Sequence, residues 1–265
     1  MRIAIGVLMQ LFSTVGIIFI FGSLIALLRR IFCSVSGTAG PKILLATGII
    51  GTPIHELSHA LACIVFGHKI RKIKLFDPDP TSGTLGYVDH SYNKKNLYHQ
   101  VGNFFIGIAP LLFGTSLIVL LMYLLVPSVF FSVTRVALDL SVGETFPVGD
   151  FFGFFASSIW SIVCSLGSID GWIFLILAIL IASHMELSGS DIKSGLPGLL
   201  FILLIYVPAV VVLGLISPIV FSELTRALAS FGTVFAALLS ISVLFLLLLV
   251  VLALIIKLFA SILKR

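Results

Sequence analysis

Apolar residues run along this chain in long blocks separated by short polar stretches. A bilayer crossing needs roughly 20 residues of apolar helix. Six blocks meet that need: Ile3 to Leu28, Ile43 to Phe66, Phe104 to Leu125, Gly171 to about Leu187, Leu196 to Ile216, and Leu228 to about Leu258. A seventh, Phe151 to Leu166, is shorter, carries Ser157, Ser158, Ser161 and Ser165, and follows the polar stretch Ser141 to Asp150. It reads as an interfacial or re-entrant helix. Pro197, Pro208 and Pro218 fall near block ends or inside a block, where membrane helices tolerate kinks.

The pattern changes period once. Between His68 and Gln100, Lys69 to Phe76 alternates basic with apolar residues, and Thr84 to His90 can form a second strand. Asp77-Pro78-Asp79-Pro80 and Ser82-Gly83 supply the turn between them, which predicts a β-hairpin. The expected fold is therefore an all-α polytopic membrane protein with a membrane-associated hairpin after the second crossing. It is read as a single integral membrane domain over residues 1–265, with a core at about 43–198 and accessory helices at 1–42 and 199–265.

Composition agrees with this picture. Hydrophobic residues make up 59% of the 265 positions and charged ones 10%, with a mean hydropathy of +1.24. The polar loop is too short to build a sizeable core, so a sensor or PDZ-like module would have to come from another chain. Met1 and Arg2 before a long apolar run resemble a secretory signal, but the run is long enough for a retained helix. The net charge of +5 sits in loops and at the tail and so speaks of topology rather than nucleic acid. Lys69, Arg71, Lys72, Lys74, Lys94 and Lys95 of the loop, with Lys257, Lys264 and Arg265 of the tail, place both on the cytoplasmic side. Six crossings then put both termini inside, as in a multi-pass protein of a prokaryotic cell membrane; Arg29, Arg30 and Lys42 oppose that orientation. Cys33, Cys63 and Cys164 are scattered and lack a C-x-x-C pair, so they read as small helix residues with neither a disulfide nor a metal role.

The second crossing holds His55-Glu56-Leu57-Ser58-His59, an H-E-x-x-H pentapeptide. On a helix the two histidines share a face and can bind one Zn2+, while Glu56 can reach a metal-bound water. Two imidazoles and a carboxylate in hydrocarbon cost several kcal/mol or more unless paired or metal-bound. A catalytic zinc takes three protein ligands and leaves a position for water, so one more ligand is needed. His68, His90, His99, His184, Glu186, Asp191 and more remote carboxylates are the candidates. The run from His184 to Gly195 is the most informative, because its Gly and Ser residues weaken the helix around Asp191 and would let a carboxylate turn inward. His184 and Asp191 would share a face if the helix persisted; one can ligate while the other supports the transition state. Other classes stay open: a transporter or channel using the cluster for ions, or a catalytically silent membrane-binding homologue.

Pro53 to Ala60, the following Gly83-Thr84-Leu85-Gly86-Tyr87-Val88 and a later carboxylate in a Gly-rich segment together resemble the site-2 protease family of intramembrane zinc metalloproteases. The resemblance covers roughly Ile43 to Gly198. It implies a zinc endopeptidase acting on membrane-embedded or membrane-proximal peptide substrates, with His55, His59 and Asp191 on the metal and Glu56 as general base. His184 and Asn103 are the possible transition-state donors; Asn103 loosely resembles a membrane asparagine of the family and is equally plausible as a helix-start residue. The family's aspartate motif is Leu-Asp-Gly or Asn-Pro-Asp-Gly, whereas this chain has Ser-Asp-Ile-Lys. A hairpin beside the site has a further use, since an unpaired edge can accept an extended peptide as an added strand; a basic hairpin also suits anionic lipid headgroups.

The charge distribution yields a prediction. Single cysteines introduced at positions 79 and 265, in a background without the three native cysteines, should be labelled by a membrane-impermeant reagent from the same side. Labelling from opposite sides contradicts the six-crossing topology.

Overall fold

The computed structural model describes residues 2–79, 83–142 and 148–263. The tail residues Lys264 and Arg265, residues 80–82 of the expected turn and residues 143–147 of the polar stretch lie outside them. Eight helices and one two-stranded sheet are seen among the described residues. The helices are α1 (Arg2–Ser36), α2 (Ala39–Val65), α3 (Leu97–Leu125), α4 (Pro127–Val142), α5 (Val148–Ser165), α6 (Ile169–Ala182), α7 (Gly189–Ile216) and α8 (Pro218–Ile262), with a π-helical turn inside α1 at Phe12–Gly16. Pro127 and Pro218 each open a helix, where the missing N–H has no partner to lose.

Five of these, α1, α2, α3, α7 and α8, are long and apolar enough to cross a membrane. The block expected over Gly171 to Leu187 is helical only as the 14-residue α6. Its length of about 21 Å falls short of a hydrocarbon core of about 30 Å. The chain leaves the helix at Ser183 and begins a new one at Gly189, earlier than the expected Leu196. Helix α4 has no counterpart in the sequence reading, because Ser132, Thr134, Arg135 and Asp139 dilute its apolar run.

The hairpin forms as expected, with strands β1 (Lys69–Lys74) and β2 (Tyr87–Ser91) antiparallel and a bulge between Ile70 and Lys72. Ile70 faces His90 in the register, and Lys74 faces Tyr87. Pairing continues past the strands through Asp77 N–H to Leu85 O at 2.7 Å and Asp79 N–H to Thr84 O at 2.9 Å.

The chain divides into two compact units. The first comprises Met1–Phe21, Val119–Phe174 and Leu199–Ile241. Its core centres on Val7, Val210 and Phe221, and its buried Gln10 is satisfied at both ends: Nε2 donates to Thr225 Oγ1 at 2.7 Å and Oε1 accepts from Tyr206 OH at 2.6 Å. The second unit comprises Gly22–Ile118, Leu175–Gly198 and Ser242–Arg265 and carries all the candidate site residues. Within it, α2 approaches the end of α6 at Gly51, where an added Cβ would lie 2.5 Å from Leu180 O and 2.4 Å from His184 Cδ2. The close approach between α3 and α7 is set by Gly107, whose Cβ would lie 2.7 Å from Asp191 O.

Those contacts predict opposite outcomes at two glycines. Gly51→Ala should lower stability by about 1–3 kcal/mol, since a backbone carbonyl cannot step aside. Gly153→Ala, in open space within α5, should raise it by about 0.5–1 kcal/mol. Thermal unfolding of the two variants in detergent checks both signs.

Candidate metal centre

Helix α2 puts His55 and His59 one turn apart on the same face, with ring centroids 4.8 Å apart. Each ring has one nitrogen committed to a backbone carbonyl. His55 Nδ1 donates to His184 O at 2.7 Å, and His59 Nδ1 donates to Ile106 O at 2.8 Å. A carbonyl can only accept, so each Nδ1 carries a proton, and in the neutral imidazoles both Nε2 atoms present bare lone pairs. These two nitrogens face each other at 3.1 Å.

The two carbonyls are available for reasons written into the chain. Within a helix, Ile106 O would accept from the N–H four residues on, but that residue is Pro110 and has none. His184 lies just past the end of α6, where terminal carbonyls lack intrahelical partners. His184 O accepts from His55, and the His184 ring turns elsewhere: Nε2 is 3.0 Å from Thr47 Oγ1, and Nδ1 is 3.5 Å from Thr52 Oγ1.

Asp191 completes the group. Its Oδ1 is 3.4 Å from His59 Nε2 and its Oδ2 is 3.9 Å from His55 Nε2. The expectation of an unwound segment around Asp191 is corrected here, since the irregular stretch precedes it and Asp191 lies in the first turn of α7. Ser188 N–H donates to Asp191 Oδ2 at 2.9 Å and Asp191 N–H donates to Ser188 Oγ at 3.1 Å, the reciprocal pair of a capping box with aspartate in place of glutamate. The Gly and Ser residues thus start a helix and aim the carboxylate.

His55, His59 and Asp191 form a group that could hold a metal ion. Three N and O atoms bonded to one tetrahedral zinc at about 2.0–2.2 Å lie about 3.3–3.6 Å from one another. The observed 3.1, 3.4 and 3.9 Å bracket that value, and with both imidazoles neutral the three converging lone-pair atoms suit a cation.

The group opens on a cavity of about 500 Å³, with Glu56 and His184 beside it and Gly86 and His90 of the hairpin across it. Gly86 packs so close to Glu56 that a Cβ would lie 2.9 Å from Glu56 Cγ. Glu186, a candidate ligand from sequence, is instead paired with Arg29, and both line the cavity. Arg29 thus has a carboxylate partner, which the sequence, reading it as a loop charge, did not reveal. Asn103 is buried in α3 and is not among the residues lining the cavity, with Gly195 of α7 packed near its backbone oxygen. His99 and His68 lie apart from the group, with His99 Nδ1 accepting from Asn93 N–H at 3.2 Å. Burial pushes the His68 and His90 imidazoles below the ordinary histidine value.

A family model described as "DUF3267: Putative zincin peptidase" matches residues 48–156, a stretch that holds His55, Glu56 and His59 and ends before Asp191. Neither a curated protein nor a solved structure matches the chain. The family match supports a zinc metallopeptidase, and with the donor groups present zinc is its cofactor.

Pro110→Ala restores a helical N–H that competes with His59 for Ile106 O, so zinc affinity should fall about 10–100-fold even though alanine favours the helix by about 3 kcal/mol. Titration against a competing chelator measures it, and unchanged affinity removes Pro110 from the account.

Proposed function

We propose that this protein is an intramembrane zinc endopeptidase related to the site-2 proteases, with His55, His59 and Asp191 as metal ligands and Glu56 as general base. The observation that carries the reading is the convergence of two imidazole nitrogens on α2 and a capped carboxylate at the start of α7, both helices apolar enough to cross a membrane. When bound, zinc polarises the scissile carbonyl and brings the pKa of its water toward neutrality. Glu56 takes the water's proton at its carboxylate and later returns it to the leaving amine. Glu56 suits that role because it lines the cavity between the histidines in sequence and has no ligand position of its own.

The substrate class follows from where the site lies. A transmembrane or membrane-proximal peptide must unwind locally before attack, because a helical amide is already hydrogen-bonded. The hairpin segment Thr84 to Val88 lines the cavity and offers extended backbone to which such a peptide can add as a strand, offsetting part of that cost. Five long apolar helices favour a multi-pass membrane protein over a soluble peptidase, and the basic loop favours a cytoplasmic hairpin.

Metal analysis and peptide cleavage in proteoliposomes test the assignments together. His55→Ala and His59→Ala should each sharply lower bound zinc. Glu56→Gln should keep zinc while cleavage falls about 10²–10⁴-fold. Asp191→Asn should cost more zinc than His184→Ala, since the His184 backbone carbonyl survives its substitution. Normal zinc in His59→Ala defeats the ligand assignment, and metal-independent ion transport by the Glu56→Gln protein favours a transporter.

A further inference from the structure

A second group of metal-ligating side chains lies at the other end of the same helix face. Cys63 is one turn beyond His59, about 6 Å along α2, and is fully buried. Its Sγ, one nitrogen of His68 and one of His90 lie within 4.8 Å of one another. His68 and His90 approach through their Nδ1 atoms at 3.1 Å.

The tautomer of His68 can be read from its partners. Its Nε2 is 2.9 Å from His99 O, which can only accept, so Nε2 carries the proton and in the neutral ring Nδ1 presents a lone pair to His90. A backbone carbonyl behind one imidazole nitrogen is the arrangement that orients a metal-binding histidine, and it is the one His55 and His59 adopt here. A histidine-to-histidine hydrogen bond alone would account for the nitrogen pair. It would not account for a buried thiol facing both. His99 is not a fourth member, because its Nδ1 already accepts from Asn93 N–H.

We propose that Cys63 Sγ, His68 Nδ1 and His90 Nδ1 form a second zinc site, distinct from the group at His55, which ties the hairpin to the helix carrying the H-E-x-x-H motif. Thiolate with imidazole suits zinc rather than magnesium or calcium. With Zn–S at about 2.3 Å and Zn–N at about 2.0–2.1 Å, tetrahedral ligands put the two nitrogens about 3.4 Å apart and each about 3.6 Å from the sulfur, so the nitrogen pair opens slightly and the thiol moves in by at most about an ångström. The Cys63 thiol proton is released as the metal binds, and water fills the fourth position on the half-exposed His90 side. The consequence is positional. His90 lies in β2, in the segment that lines the cavity beside Glu56, so an ion held by Cys63 and His90 fixes that segment over the cavity.

Cobalt substitution tests this on the full-length protein in detergent, because only this group contains a thiolate. Loading with Co2+ alone should produce a near-ultraviolet thiolate-to-cobalt charge-transfer band. The band should vanish in Cys63→Ser and persist in Cys33→Ser, Cys164→Ser and His59→Ala. In His90→Ala, a hairpin substitution that spares the helix packing, bound zinc should fall from about two ions per chain to about one. Absence of the band from the wild type, its survival in Cys63→Ser, or zinc content unchanged by His90→Ala overturns the second site. Loss of zinc from His59→Ala with the band intact tests the first site separately.

Discussion

The structure depends on two backbone carbonyls that hold the imidazoles of His55 and His59 with their Nε2 lone pairs facing one another. Left alone, two bare nitrogens and a carboxylate in an apolar surrounding are unfavourable by several kcal/mol. A bound cation would turn that penalty into binding energy, with the ring orientation already set by the carbonyls. Each carbonyl is free because a helix is locally interrupted, by Pro110 in α3 and by the end of α6. The interruptions are therefore part of the site.

The third corner is built by a helix beginning. Ser188 caps α7 and, through its own N–H, fixes one oxygen of Asp191, while the other oxygen lies 3.4 Å from His59. Gly107 and Gly195 allow α3 and α7 to approach closely at this level, so the carbonyl that orients His59 and the carboxylate beside it are set by one packing contact. Gly86 does the equivalent for the hairpin, bringing extended backbone against Glu56.

How much of this the sequence reveals depends on how local each interaction is. The shared face of His55 and His59 follows from helical spacing alone, and the hairpin from its alternation and turn residues. The Gly- and Ser-rich run before Asp191 marks a helix break, but the sequence reading placed Asp191 on unwound backbone, whereas Ser188-Gly189-Ser190-Asp191 is a helix-start signature. Pro110 carries no local hint of its role, because its effect falls four residues earlier and is read out by a histidine on another helix. Arg29 with Glu186, and Cys63 with His68 and His90, join segments whose contact is set by packing rather than spacing. Helix α4 was missed because Arg135 and Asp139 lower its hydropathy without breaking it.

Anomalous diffraction at the zinc edge tests the central arrangement most directly. The account predicts an ion at about 2.0–2.2 Å from His55 Nε2, His59 Nε2 and an Asp191 oxygen, with the His184 ring still beside Thr47. An ion on the His184 ring with Asp191 facing solvent would contradict it.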